Sequence, residues 1–350
     1  MPRAWATRLS AFERPAEVTV RGGIFSPEER RGDSARADRR PAGATSDGVP
    51  VRMTVAPENA SRGRSRAGKC ISSRKFLARS LKRQSRRQQK ARRRCRRKCT
   101  GDSVHDLRVE SRRLLARLDL LGALHSFPAL AKARRALKRQ LEASSALRDT
   151  HVQLRLTRQI AGDGSERKRF RQHLHGCERR QARTLARKLK AAGGRKLMAA
   201  LRQSLRALPE TAAADKHARV LLGQMLAEKF RKMVQLQRRA RADAACLHRA
   251  RIALKKFRYV VEALQPLLGS GSAAELRRLH RCQTLMGEIH DLDLMLLGLE
   301  ANKSPKAEHT GFHRRRARLL RSYRAAAASC FPKGPAVSLW PRILAHLSPA

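Results

Sequence analysis

From about Ser73 onward, apolar residues recur three or four positions apart, the period of a helix with one buried face. Val104, Leu107, Leu114, Leu118 and Leu121 form one such face, and Leu130, Leu137, Leu141, Leu147 and Leu154 form the next. The spacing predicts a first helix over 73–98, which no Gly or Pro interrupts, and a second running to about Leu124 with Gly101-Asp102-Ser103 as its turn and cap. Ser126-Phe127-Pro128 opens a third, expected to run unbroken towards Ile160, where Gly162-Asp163-Gly164-Ser165 stops it. A fourth, very basic helix starts near Glu166 and ends at Ala192-Gly193-Gly194. Further helices fit 195–207, 215–240, 243–268, 272–301 and 306–328. The first is expected to dock through Phe76, Leu77 and Leu81 and to face solvent towards its end, where its basic residues meet no acid. The fold class is therefore all-α, with long antiparallel helices joined by short loops.

The polar positions carry a second pattern. Val104-His105-Asp106-Leu107-Arg108-Val109-Glu110-Ser111-Arg112-Arg113 and Leu247-His248-Arg249-Ala250-Arg251-Ile252-Ala253-Leu254-Lys255-Lys256 each place basic residues three, seven and eight positions after a His. On a helix, His105, Arg108 and Arg112, and again His248, Arg251 and Lys255, share one face. A like-charged stripe weakens a helix unless an anion neutralises it. Leu147-Arg148-Asp149 then matches Ile289-His290-Asp291 at nearly the same offset. A constant offset over some fifty residues predicts an internal duplication and two pseudo-symmetric antiparallel bundles, with halves at about 73–208 and 215–330.

Charge narrows the partner. In 350 residues, 80 Lys and Arg stand against 28 Asp and Glu, a net charge of +52 that points to a polyanion. Charge alone does not choose among nucleic acid, polyphosphate and an anionic membrane. Aromatics at 4% argue against a single-strand binder, which stacks bases on aromatic rings. No apolar run approaches the roughly 20 residues of a membrane span. The first ten residues lack a signal-peptide core, and seven scattered cysteines suit a reducing cytosol, so a cytoplasmic location is expected. Residues 1–68, rich in Pro, Gly, Ser, Ala and Arg, read as a disordered basic tail with short candidate strands at 18–20 and 51–55. Met53 competes with Met1 as the start. The sequence sets no oligomeric state.

The paired His-x-x-Arg stripes, each followed by its Arg-Asp or His-Asp step, resemble the CHAD family, the conserved histidine α-helical domain, over roughly residues 74–320. The resemblance implies two pseudo-symmetric helical bundles around a basic channel that binds inorganic polyphosphate, often at polyphosphate granules. It assigns the site to His105, Arg108, Arg112 and Arg113 in the first half and to His248, Arg251, Lys255, Lys256 and Arg258 in the second. Arg148 joins them through its Arg-Asp step. His290 stands where the family has Arg, and Leu115 is the first-half counterpart of Arg258, so the halves need not grip equally. The Glu-x-Glu-x-Lys strand of relatives with a triphosphatase domain does not occur in this sequence. The organisation expected is a tail over 1–68, a CHAD-like domain over 69–330 and a C-terminal segment over 331–350.

Polyphosphate has no base edges, so its recognition needs Arg forks and Lys charges along a track. His105 and His248 remain open between phosphate contacts, orienters of a neighbouring Arg, core residues and metal ligands; their repeated phase favours the edge of the site. Asp149 and Asp291 read as supports that anchor a basic side chain from a neighbouring helix. A Mg²⁺ or catalytic role for Glu288, Asp291 and Asp293 has no carboxylate triplet to match in the first half. Cys95-x-x-x-Cys99 has helical rather than zinc-ribbon spacing. Without a phosphate-cradling glycine loop or a nucleophile elbow, the expectation is a binding module with no catalytic residue, metal or cofactor. The competing reading is a chromatin-associated nucleic-acid binder acting through basic arms at 62–66 and 83–98.

Overall fold

Among the described residues the first helix begins at Ser73, in a run of helix formers that contains no Gly or Pro. The computed structural model describes residues 72–126, 128–159, 165–191, 211–242, 246–268, 271–302 and 306–331, with positions 199, 203 and 347. These residues form α1 (Ser73–Arg97), α2 (Gly101–Leu124), α3 (Pro128–Ala143), α4 (Ser145–Thr157), α5 (Ser165–Ala191), α6 (Ala212–Ala242), α7 (Leu247–Leu264), α8 (Ser272–Ala301) and α9 (Lys306–Cys330). A 3-10 turn, Gln265–Leu267, follows α7. No strand occurs among the described residues. The tail over 1–68 with its candidate strands, Met53, the basic arm at 62–66 and the C-terminal segment beyond Phe331 apart from Leu347 lie outside them. So does the 195–207 helix, except for positions 199 and 203, both helical.

Three local expectations need correction. The first concerns α1, which docks along its whole length: Leu77, Leu81, Gln84, Gln88, Ala91 and Cys95 are all buried. An apolar period misses this face because half of it is polar. Gln84 Nε2 donates to the Glu110 backbone oxygen at 3.1 Å and to its carboxylate at 2.6 Å, and Gln140 Nε2 donates to Ser111 Oγ at 2.8 Å beside them. A buried amide is tolerated when it is hydrogen-bonded.

The second is the single helix over 128–160, which breaks at Ser144 into α3 and α4. Ser144 Oγ and Ser145 Oγ both donate back to the Leu141 carbonyl, at 2.9 and 3.0 Å, and Arg108 Nη1 from α2 donates to the same oxygen at 2.6 Å. Side-chain donors thus take over a carbonyl of the helical ladder, and the chain bends there. The third lies at the start of α2, where Thr100 rather than Asp102 or Ser103 is the cap; its Oγ1 accepts from Ser103 N at 3.2 Å.

The helices pair in a pattern that recurs. α1 packs on α2 as α6 packs on α7, and α4 packs on α5 as α8 packs on α9. The two sets meet where α2 crosses α7 and α4 crosses α8, and Ser73 N at the start of α1 donates to Asp215 at the start of α6. One core cluster spans this junction: Val152, Leu156, Phe170 and Leu174 pack against Leu292, Met295, Leu299 and Phe312. At roughly 2 kcal/mol for each large apolar side chain removed from water, truncating any of them weakens both sets of helices at once. Gly298 permits the close approach of α4 and α8, since a Cβ there would lie 2.5 Å from the Gln153 amide that donates to the Leu294 carbonyl.

Candidate functional site

The crossing of α2 with α7 and of α4 with α8 brings four polar helix faces together. α2 contributes His105, Arg108 and Arg112, and α7 contributes His248, Arg251 and Lys255. Arg148 and Asp149 come from α4, His290 and Asp291 from α8. The α2 and α7 sets each lie on one face because their members are three, four or seven residues apart. The opposite faces, with Leu107, Leu114, Leu254 and Phe257, are buried in the core and fix the direction of the polar ones.

Charge in this cluster is one-sided. Arg108, Arg112, Arg148, Arg251 and Lys255 act electrostatically on one another, with Asp149 and Asp291 as the carboxylates set among them. Asp291 is further engaged by Arg155 Nη2 at 3.1 Å. Lys255 is held well below its ordinary pKa, first by burial and then by Arg251, Arg112 and Arg108. Burial, opposed by Asp291, brings Arg251 down to about 10. The enclosed Arg251 Nε has no hydrogen-bond partner within the protein. Asp149 is pushed up to about 6 by burial, with Arg108 pulling the other way. Arg108 is fixed by the α3–α4 bend through the Leu141 carbonyl and the hydroxyls of Ser144 and Ser145, at 2.6, 2.9 and 3.1 Å.

The histidines border this charge. His105 is exposed, and partial desolvation together with Arg148 lowers its pKa. The His248 and His290 rings lie 5.3 Å apart, tilted by 47°. His248 is lowered by burial, Arg251 and Lys255, and its buried Nε2 has no protein partner. His290 is lowered to about 2 by burial, Arg251, His248 and Lys255. An imidazole whose folded pKa lies below its unfolded value of about 6.5 stabilises the fold fully above pH 6.5. Below that pH the unfolded chain takes up the proton first, and stability falls by up to roughly 1.4 kcal/mol per pH unit. His290→Gln is therefore expected to flatten the decline of Tm between pH 6.5 and 5, as read by thermal melts at each pH; an unchanged slope would assign the decline to other groups.

Three residues that the resemblance groups with the site lie elsewhere. Arg113 and Arg258 converge on Glu262: Arg113 Nε lies 3.4 Å from its carboxylate, and Arg258 Nη1 donates to the other oxygen. Arg258 Nε also donates to Gln283 at 2.7 Å. They line a separate cleft of about 450 Å³ with Arg87, Arg117, Arg277 and His280. Arg117, lowered to about 10 by burial and then by Arg113, donates to Ser80 Oγ at 2.9 Å. Lys256 is exposed and sits in the field of Lys229, Asp119, Lys138 and Lys232. Arg117, Arg155, Glu262 and His290 lie outside the set of site residues that the sequence pattern marks. Glu262 was legible as the partner four residues after Arg258, and His290 as the residue in the Arg position of its Arg-Asp step; Arg117 and Arg155 carry no such signal.

The CHAD domain family profile matches residues 79–299, well over half of the chain and all ten residues of the cluster. The chain belongs to the CHAD domain family. The crystal structure of the CHAD domain from the plant Ricinus communis shares the fold at a TM-score of 0.55 and 21% sequence identity, over 73% of this chain and 90% of the plant chain. No curated protein sequence matches this one. CHAD domains are non-catalytic binding modules, and residues 79–299 of this chain form one. Among the described residues no group of three or more His, Cys, Asp or Glu could hold a metal ion, and no helix is long and apolar enough to cross a membrane.

Proposed function

We propose that this protein binds inorganic polyphosphate through the cluster of Arg108, Arg112, Arg148, Arg251 and Lys255, with His105 and His248 at its edge and Asp149 and Asp291 directing the basic side chains. The observation that carries this reading is the charge imbalance: five cationic side chains from three helices gather around two carboxylates, Asp149 and Asp291. Bringing like charges together and partly out of water is unfavourable, and a bound polyanion reverses both terms. Phosphate oxygens accept charge-assisted hydrogen bonds from Arg and Lys without requiring base recognition. The recurrent helix pairing supports an internal duplication in which each half supplies one stripe to a common track. On this reading the protein is cytoplasmic and assembles at polyphosphate granules.

A second reading has its own observation. α1 presents Arg83, Arg86, Arg87, Lys90, Arg93 and Arg97 on exposed positions and contains no acidic residue, a ridge suited to the phosphates of duplex nucleic acid. Competition separates the two. With polyphosphate and duplex DNA matched in phosphate concentration, polyphosphate is expected to displace DNA at a lower concentration than the reverse, and both affinities should fall as salt rises. Equal competition would favour the nucleic-acid reading. Affinity independent of salt would remove the electrostatic basis of either.

A further inference from the structure

The cysteines are scattered in sequence but not in space. Cys282, in the first half of α8, and Cys330, the last residue of α9, lie 48 positions apart, yet their sulfurs are 3.2 Å from each other. Both are buried, Cys282 completely and Cys330 to 9% exposure at the end of its helix. A disulfide places the two sulfurs about 2.05 Å apart, so they need to approach by only about 1.1 Å. α8 and α9 pack along their length, which holds the two backbones in register and leaves the side-chain torsions to make up the difference.

We propose that Cys282 and Cys330 form a reversible disulfide that ties the C-terminal end of α9 to α8, and that a hydroperoxide is the oxidant class that closes it. The two thiols are unequal. The hydrogen bond from Cys282 lowers the Cys330 pKa, with Arg278 and Arg281 acting in the same direction, whereas Cys282 is raised by that pairing and by its burial. Cys330 is also the more accessible residue of the two, so it is the nucleophile. Its thiolate attacks one peroxide oxygen, the O–O bond breaks, and Cys330 becomes a sulfenic acid as hydroxide leaves. The Cys282 sulfur then attacks the Cys330 sulfur and expels a second hydroxide as the S–S bond forms. The two thiol protons convert both hydroxides to water, so two thiols and one hydrogen peroxide yield one disulfide and two waters. A dithiol reductant reverses the bond by exchange.

This cross-link closes a loop of 48 residues in the unfolded chain and restricts that state more than the folded one. It also bears on α8 about two turns before His290 and Asp291. The other close pair, Cys95 and Cys99, serves as an internal comparison, because Cys99 Sγ already donates to the Cys95 backbone oxygen at 3.1 Å.

The test uses the full chain treated with stoichiometric hydrogen peroxide and then an alkylating agent, followed by non-reducing peptide mapping. A linked peptide pair containing residues 282 and 330, lighter by two hydrogens and separated by dithiothreitol, is the expected result. Tm should rise by roughly 5–10 °C on oxidation and return on reduction. Cys330→Ser and Cys282→Ser should each abolish the linkage and the shift; the mapping of the unmodified chain stands by itself should either variant fail to fold. The proposal is overturned if both cysteines stay fully alkylatable after oxidation, if Cys330 proceeds to sulfinic acid with Cys282 still free, or if the linkage that forms joins other cysteines.

Discussion

Replacing Arg251 and Lys255 together by Gln is expected to weaken polyphosphate binding by about 10²- to 10⁴-fold while leaving the fold as stable as before or more so. A hydrogen bond from a charged group contributes roughly 1.5–3 kcal/mol, and each 1.4 kcal/mol is a factor of ten in affinity. Stability moves the other way because both side chains are held below their ordinary pKa, chiefly by burial, in the free protein. Removing their charge removes an unfavourable desolvation and the repulsion from Arg112. Duplex DNA engaged by the exposed ridge on α1 should lose far less. Lys256→Gln is the matched control: it removes one charge next in sequence but in the field of Lys229 and Lys232, and should change polyphosphate affinity by no more than about twofold. Isothermal titration of both ligands against both variants, with Tm measured alongside, decides the matter. Equal loss of both ligands, or an equal effect of Lys256→Gln, would replace the site with bulk charge.

Glu262→Gln should cost about 3 kcal/mol of stability and lower Tm by roughly 6–12 °C, with little effect on polyphosphate affinity. Its carboxylate accepts from Arg258, whose side chain is only 8% exposed, and pairs with Arg113 from the other set of helices. Without it Arg258 keeps Gln283 but is left as a nearly buried cation with no opposite charge in contact. The double replacement Arg258→Met with Glu262→Leu should be milder than Glu262→Gln alone, because it removes both charges at once. A Tm for Glu262→Gln within about 1 °C of the parent would show that the triad contributes nothing to holding α2 against α7.

These two predictions rest on residues whose meaning sequence and structure share unequally. Arg113 and Arg258 stand beside the stripes in the sequence, and the resemblance groups them with the stripes. Their geometry depends on Glu262, one turn further along α7, and on the crossing of α2 with α7. Arg112 and Arg113 are consecutive, so they point about 100° apart around the helix axis, one into the basic cluster and the other into a different cleft. A motif written as adjacent letters does not carry that angle.

Most of the helix bounds and the two stripes follow from local pattern along the chain. Helical period, breakers and the spacing of charged residues act locally, so they are legible within a dozen residues of chain. Residues 73–97, 101–124, 272–301 and 306–330 emerge close to their expected bounds for that reason. Three outcomes depended on partners distant in the chain, and only the tertiary structure decided them. α1 is buried to its end because Gln84 finds the backbone oxygen and carboxylate of Glu110, a polar contact that no apolar period announces. The helix beyond Pro128 bends because Arg108, 33 positions before Leu141, donates to its carbonyl. Cys282 and Cys330 meet because α8 and α9 pack side by side. In each case the deciding interaction joins residues from 26 to 48 positions apart, and its energy is gained only once packing has brought them within reach.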